Sequence, residues 1–524
     1  MRDHVCGVDV GTGSARAGIF ARDGSMIARA ERAIKMNRPL ANHAEHDSED
    51  IWQAVCGAVR EARSAAGLPA ERIAGIGFDG TCSLVIRAPD GDPVTVSTGG
   101  GDRWDTIVWL DHRAIAEAEE CTATGHAVLD HVGGVMWPEM QVPKLMWLKR
   151  HLPESWARMG HAFDLADFLT WKACGSAARS QCTLTSKWTY LAHEGGWRQD
   201  FLDAVGLDDL IARAGLPPLA TPVDVLLGRL SPEAAEELGL DEFCAVGTGL
   251  IDAFAGALGV IGGLAPEDID RHLALIAGTS SCVMGFAREP RMVPGIWGPY
   301  FGVALPNLWL SEGGQSAAGA LLDHVVRLHG GAEPDAATHA RIVARIRALR
   351  AAEGENFAAG LHVLPDFHGN RSPHADPHAR GVISGLTLDA SFDATCRLYW
   401  RTCVATSLGI RHVVEHMNAH SYRIDTLHVT GGHTRNPLLM ELYADATGCS
   451  VVETAAPDAV LLGAAMVAAN AAGLHPGLRE ACRAMRQEEK VRRPDPARAA
   501  AYERDYRVFL TMHAQRRVIE EMGG

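Results

Sequence analysis

Nowhere in this chain do two cysteines stand in a C-x-x-C pair or in a dense framework: twelve are scattered singly along 524 residues. That excludes a disulfide-stapled scaffold and predicts reduced thiols, each acting as a small buried hydrophobe, in a reducing compartment. No spacing among the cysteines and 24 histidines supports a structural metal site. Basic residues are also in short supply, with 49 Lys and Arg against 64 Asp and Glu for a formal charge of −15. A face able to neutralise nucleic-acid phosphates is therefore not expected, and any anionic ligand must be met by local donors. Long apolar runs are missing too. The longest, residues 455–472, is interrupted by Pro457, Asp458 and Asn470 and reads as a buried helix rather than a membrane span. The chain opens directly on an apolar strand pattern at 5–10, without the basic and then apolar segments of a signal peptide. A soluble, cytoplasmic protein that binds neither nucleic acid nor membrane is expected.

What is present has the balance of an ordinary globular protein, 47% hydrophobic and 22% charged. A chain of this length exceeds what one core usually supports, so at least two domains of roughly 200–260 residues are expected. The most informative segment is Asp9-Val-Gly-Thr-Gly-Ser-Ala-Arg16, set between two short apolar runs. A carboxylate at the end of a strand, followed by glycines and hydroxyls in a tight turn, gives backbone N–H groups that converge on phosphate oxygens beside a cation-holding acid. No Gly-Lys-Ser/Thr follows, and the glycine spacing is wrong for a dinucleotide fingerprint, so the segment reads as an ATP-handling loop of the actin-fold kind. An ordinary hairpin turn would have the same local composition.

Strands are predicted over 5–10, 17–20 and 26–30, the last two joined by Asp23-Gly24, then a helix capped near Asp47-Ser48-Glu49-Asp50 and a returning strand over 73–78. The order recurs later. An apolar run over 273–277 ends in Gly278-Thr279-Ser280-Ser281, a strand follows over 282–285, and 427–430 ends in Gly431-Gly432 before a helix. The reading is an α/β chain of two actin-like (ribonuclease H-like) ATPase domains with an interdomain cleft, residues 1–265 and 266–482, followed by a charged helical tail, 483–524. The Pro/Gly stretch 366–381 is expected to be a surface loop.

The opening loop, Gly249-Leu-Ile-Asp252-Ala-Phe-Ala-Gly256, Ala277-Gly-Thr-Ser-Ser281, Gly313-Gly-Gln-Ser316 and Gly431-Gly-His-Thr-Arg-Asn436 occur in this order. With Lys144-Leu-Met-Trp147-Leu148 and Arg380-Gly-Val-Ile-Ser-Gly385-Leu386, they closely resemble the FGGY family of carbohydrate kinases over roughly residues 4–475, with closest likeness to its ribulokinase branch. Val404 departs from the family, which often carries an acid or amide there. The resemblance implies ATP and Mg²⁺, with Asp252 as general base and, with Asp9, close to the metal. It implies Gly11, Thr12, Gly13, Ser14 and Arg16 on one wall of the phosphate site, Gly278, Thr279 and Ser280 on the other, and Gly431, Gly432 and Asn436 toward the adenosine. Asp79, Thr81, Lys187 and Glu312 are the implied sugar contacts, and Trp137-Pro-Glu139 is a further pocket candidate. The bland alternatives are an N-cap for Asp252, a surface ion pair for Arg16, and a cap on the next helix for Glu312. The expected reaction is phosphorylation of the terminal hydroxyl of a ketopentose, D-ribulose first. L-Ribulose, xylulose, a seven-carbon ketose such as sedoheptulose, and a non-catalytic ATP-binding regulatory role remain open. The partners are a small sugar and ATP, and a homodimer is consistent with the sequence.

Overall fold

Alternation along two central strands decides how the first half folds. In His4–Val10, Cys6, Val8 and Val10 point to one side, and Ile76 and Phe78 of Ile73–Gly80 join them. That side is buried against Ile51, Trp52, Val55 and Val59 of helix Ser48–Ala65. Asp47 caps this helix, accepting from the backbone N–H groups of Glu49 and Asp50, as the capping pattern predicts. The opposite side of the same strands carries Gly7, Asp9, Gly75, Gly77 and Asp79, and faces helix Ala459–Ala471.

The computed structural model describes residues 2–354 and 357–523. It divides into two compact units, each discontinuous in sequence: one of residues 1–269, 286–311 and 455–488, the other of 270–285, 312–454 and 489–524. The main sheet of the first unit runs Leu226–Arg229, Ala245–Gly247, Ile73–Gly80, His4–Val10, Ser14–Ala21 and Met26–Ala33, with Leu250–Ile251 also pairing to Ile73–Gly80. His4–Val10 is antiparallel to Ser14–Ala21 and parallel to Ile73–Gly80. The second unit repeats this pattern: His272–Ala277 is antiparallel to Ser281–Ala287 and parallel to Thr426–Thr430. Ser450–Thr454 and Glu489–Arg492 extend its sheet.

Helix Ala459–Ala471 lies closer to its neighbours than side chains normally allow. A Cβ on Gly77 would stand 2.2 Å from the carbonyl oxygen of Ala464, and one on Gly463 would stand 1.9 Å from that of Ala255 in helix Asp252–Ile261. Glycine at these two points lets the sheet, helix Asp252–Ile261 and helix Ala459–Ala471 meet backbone to backbone. The acid-bearing ends of these elements are thereby fixed.

Two expectations are corrected. Stretch 366–381 has little regular structure yet is largely packed inside the second unit, with Asp366, Asn370, Arg371 and Ser372 buried. Its polar side chains are engaged by residues remote in sequence, such as Arg516, which donates to Asp376 at 3.4 Å. The terminal segment 483–524 is not all helix: Glu489–Arg492 forms an edge strand against Ser450–Thr454 before helix Ala499–Gly523. Its Glu, Lys and Arg side chains keep that edge solvated, which explains charge in a strand. The interrupted apolar window is a buried helix as read, and among the described residues no helix is long and apolar enough to cross a membrane. Among the same residues no disulfide joins the cysteines, and most of them are buried.

Replacing Gly463 by alanine tests the close approach. Helix propensity alone would raise stability by about 1 kcal/mol, whereas the collision with the Ala255 carbonyl should lower it by roughly 1–3 kcal/mol. Denaturant unfolding of Gly463→Ala reads the sign directly.

Candidate active site

Strand register sets charges side by side. Across the first unit's sheet, Asp79 of Ile73–Gly80 pairs with Asp9 of His4–Val10, Asp9 with Arg16 of Ser14–Ala21, and Arg16 with Glu31 of Met26–Ala33. Leu250 pairs with Asp79 on the far side, and two residues later Asp252 begins its helix. Asp458 caps helix Ala459–Ala471 by accepting from the N–H of Leu461. Asp252 and Asp458 both lie close enough to Asp9 to act on its charge.

Asp9 and Asp79 are fully buried; the two carboxyls lie within hydrogen-bond reach of each other, and none of their four oxygens accepts from an N–H or hydroxyl donor. The cation beside them is Arg16, with a guanidinium nitrogen 2.6 Å from Asp9 Oδ2 at an angle that makes no hydrogen bond, and another 3.9 Å from Asp458. Burial pushes the Asp9 carboxyl up to about 7, partly offset by Arg16 and reinforced by Asp458 and Asp252. Burial, and then the adjacent Asp9, holds Asp79 well above the usual carboxylate range. Buried carboxylate oxygens without donors are the ligand set that a hard divalent cation such as Mg²⁺ prefers.

The first glycine turn closes with the N–H of Gly11 donating to the carbonyl of Ser14 at 3.0 Å. Thr12 accepts from the indole of Trp109 at 2.9 Å, and Ser14 donates to Glu31 at 2.7 Å, while Gly13 is exposed. Asp252 is not an N-cap but the first residue of its helix, and is only partly buried. Its Oδ1 accepts from the N–H of Ala253 at 2.7 Å. Arg16 is more than a surface ion pair, since its partner Asp9 is completely enclosed.

Lys187 ends helix Gln181–Lys187 and is 2% exposed. Its ammonium lies 4.6 Å from the ring centre of Trp297 and 5.8 Å from that of Phe254. Trp137 packs edge-on to Trp297, and its indole N–H is buried without a hydrogen-bond partner. Thr81 shares a hydrogen bond with Ser83 at 2.9 Å, and its N–H donates to the carbonyl of Val10.

In the second unit, the turn carrying Gly278, Thr279 and Ser280 follows strand His272–Ala277, and its N–H of Gly278 donates to the carbonyl of Ser280. Gly431 follows the parallel neighbour strand Thr426–Thr430, so both glycine turns leave the same sheet edge. Gly431 has φ +90°, and a Cβ there would stand 2.5 Å from the carbonyl oxygen of Ala277. Gly432 opens the short turn Gly432–Arg435, and Asn436 caps the next helix by accepting from the N–H of Leu438. Glu312 is buried within strand Trp309–Gln315, not at a helix start: the following helix begins at Gly319. Val404 is buried on helix Phe392–Ala419.

Sequence reasoning missed Asp458. Its signal was present, an acid directly before an apolar helical run, but it was used only to break a membrane span. Trp297 was missed because nothing near it in sequence suggests Lys187.

The acid cluster carries a pH signature. Because the folded Asp9 carboxyl sits near 7 rather than 3.8, the folded state holds a proton that the unfolded chain gives up. The stability it contributes is present below pH 4 and is lost as pH rises toward 7. Asp9→Asn should flatten that slope and raise the melting temperature at pH 8 in thermal scans without ligand.

Residues 4–259 match the N-terminal domain, and residues 273–472 the C-terminal domain, of the FGGY family of carbohydrate kinases. An FGGY carbohydrate kinase domain-containing protein of Danio rerio is 44% identical, over 97% of this chain and 96% of its own. The D-ribulokinase of Saccharomyces cerevisiae is 36% identical, over 89% of this chain and 71% of its own. A solved xylulose kinase from Rhodospirillum rubrum matches with a TM-score of 0.80 at 25% identity, with 98% of each chain covered. The chain belongs to the FGGY family of carbohydrate kinases and is an ATP-dependent sugar kinase.

Proposed function

We propose that the sugar is a ketopentose, D-ribulose, phosphorylated at its terminal hydroxyl to D-ribulose 5-phosphate. The observation that carries this reading is the contrast between Asp252 and its neighbours: Asp9 and Asp79 are sealed, whereas Asp252 stands partly exposed at the start of its helix. A general base must reach the proton it takes, and among these three acids Asp252 has that access. The 36% identity to the yeast D-ribulokinase supports the choice of sugar.

In this reading the Asp252 carboxylate accepts the hydroxyl proton as the sugar oxygen bonds to the γ-phosphorus and the bond to the bridging oxygen breaks, releasing ADP. Gly11, Thr12, Gly13 and Ser14 offer backbone and hydroxyl donors to phosphate. Arg16, already drawn toward Asp9, presents its remaining N–H groups beside them. Gly278, Thr279 and Ser280 offer donors of the same kind, and Gly431 and Gly432 offer close backbone to a nucleoside. Asn436, whose carbonyl oxygen is spent on its helix cap and whose amide nitrogen donates to Tyr399 at 3.4 Å, keeps its second amide N–H for the nucleotide. Asp9, with Asp252, would hold a Mg²⁺ ion, and Asp79 adds donor-free oxygens at the same place. When bound, that ion supplies neutralisation of phosphate charge. Lys187, on the faces of Trp297 and Phe254, presents its ammonium to sugar oxygens while the rings meet C–H surfaces. Glu312 and Thr81 are further sugar contacts. Asp79, completely enclosed, serves the acid cluster more directly than the sugar.

Steady-state kinetics with Asp252→Asn and a ketose panel at fixed ATP tests both parts. The substitution should lower kcat by about 10² to 10⁴ with nucleotide affinity intact. Unchanged turnover would remove Asp252 from the chemistry. Wild-type kcat/KM should be highest for D-ribulose, and a higher value for L-ribulose, xylulose or a seven-carbon ketose would reassign the substrate.

A further inference from the structure

Three histidines from distant parts of the sequence meet in the second unit. His374 lies in the packed stretch 366–381, His412 on helix Phe392–Ala419, and His513 on helix Ala499–Gly523. Their ring centres are 5.2, 4.8 and 5.5 Å apart pairwise, and one nitrogen from each lies within 4.8 Å of the others. His513 is 3% exposed, and neither of its ring nitrogens has a hydrogen-bond partner. Asp366 is buried beside it. Oδ1 of Asp366 accepts from Asn370 at 2.9 Å, while Oδ2 accepts no hydrogen bond and sits 3.6 Å from His513 Nδ1. Phe509 closes one side against the rings of His412 and His513.

A buried imidazole with two unmet nitrogens, facing two others and backed by a carboxylate with an unmet oxygen, is unfavourable packing unless something joins the group. We propose that His374, His412 and His513 bind one divalent zinc-class ion, with Asp366 accepting from His513 Nδ1–H so that Nε2 faces the metal. Three imidazoles suit Zn²⁺ rather than a hard oxygen-seeking cation. The carboxylate behind His513 is the arrangement that fixes the tautomer of metal-bound histidines. Zn–N bonds of about 2.0–2.1 Å require nitrogens about 3.3 Å apart, so the rings close by at most about 1.5 Å on loading. The charged groups facing the cluster are Arg516 and Arg517 on one hand and Asp366, Asp376 and Glu520 on the other. Arg517, an exposed side chain, lies 2.9 Å from His374 Nδ1 and 3.4 Å from its Nε2 and must turn away for that ring to bind metal, and Arg516 is held by Asp376 and Glu520. The ion fastens the C-terminal helix to the irregular stretch and the long helix. Its role is structural.

Chelator-treated full-length protein titrated with Co²⁺ tests this. One equivalent should produce the intense visible bands of a four-coordinate ion without thiolate charge transfer, and Zn²⁺ should displace it. Zn²⁺ should also raise the melting temperature. His374→Gln, which alters a partly exposed ring and spares the buried one, should weaken Zn²⁺ binding at least about ten-fold and abolish that rise. Sub-stoichiometric binding, a thiolate band, or wild-type affinity in both His374→Gln and His412→Gln would overturn the proposal.

Discussion

Two carboxylates with nowhere to put their charge govern the first unit. The parallel register of His4–Val10 and Ile73–Gly80 places Asp9 beside Asp79, and the packing of helix Ala459–Ala471 seals both from water. Like charges directly opposite each other in a sheet are destabilising, more so when buried. The fold tolerates the arrangement through one guanidinium, that of Arg16, while burial pushes both carboxyls above the usual carboxylate range. Stability is given up locally so that an oxygen-rich, donor-poor site stands assembled before its ligands bind.

The second unit uses the same frame without those charges. Its first strand again has an antiparallel partner on one side and a parallel one on the other, and again ends in a glycine and hydroxyl turn. When the turns are matched, Ile276 stands where the first unit has Asp9, and Thr430 stands where it has Asp79. Backbone N–H groups, hydroxyls and close-set glycines remain, which suit phosphate and nucleoside. At these matched strand ends the paired carboxylates stand in the first copy and have no counterpart in the second. One architecture thereby offers two different chemical surfaces.

Much of this was legible in the sequence because it is local. The octet from Asp9 to Arg16, the cap at Asp47, the turn at Asp23-Gly24 and the interrupted apolar helix each carry their signal within a few residues, and each folds as its chemistry requires. Asp252 was legible from its motif, but the parallel register that brings Asp79 against Asp9 was not, since pairing partners 70 residues apart leave no periodic trace. Asp458 was overlooked for the same reason, as its role depends on which strands its helix packs against. Stretch 366–381 looked like surface because its composition is rich in proline and glycine. It is buried because a helix more than 120 residues later lies over it, and the meeting of His374, His412 and His513 follows from that same covering.

A divalent cation bound at the first unit's buried carboxylates would displace the protons that burial favours there. Calorimetric titration of the protein with Mg²⁺ and a non-hydrolysable ATP analogue, repeated near pH 6.5 in buffers of different ionisation enthalpy, measures that exchange directly. The account predicts a binding heat that changes with buffer, corresponding to about one proton released per site, and the loss of that dependence in Asp9→Asn. Binding with the same heat in every buffer would contradict it.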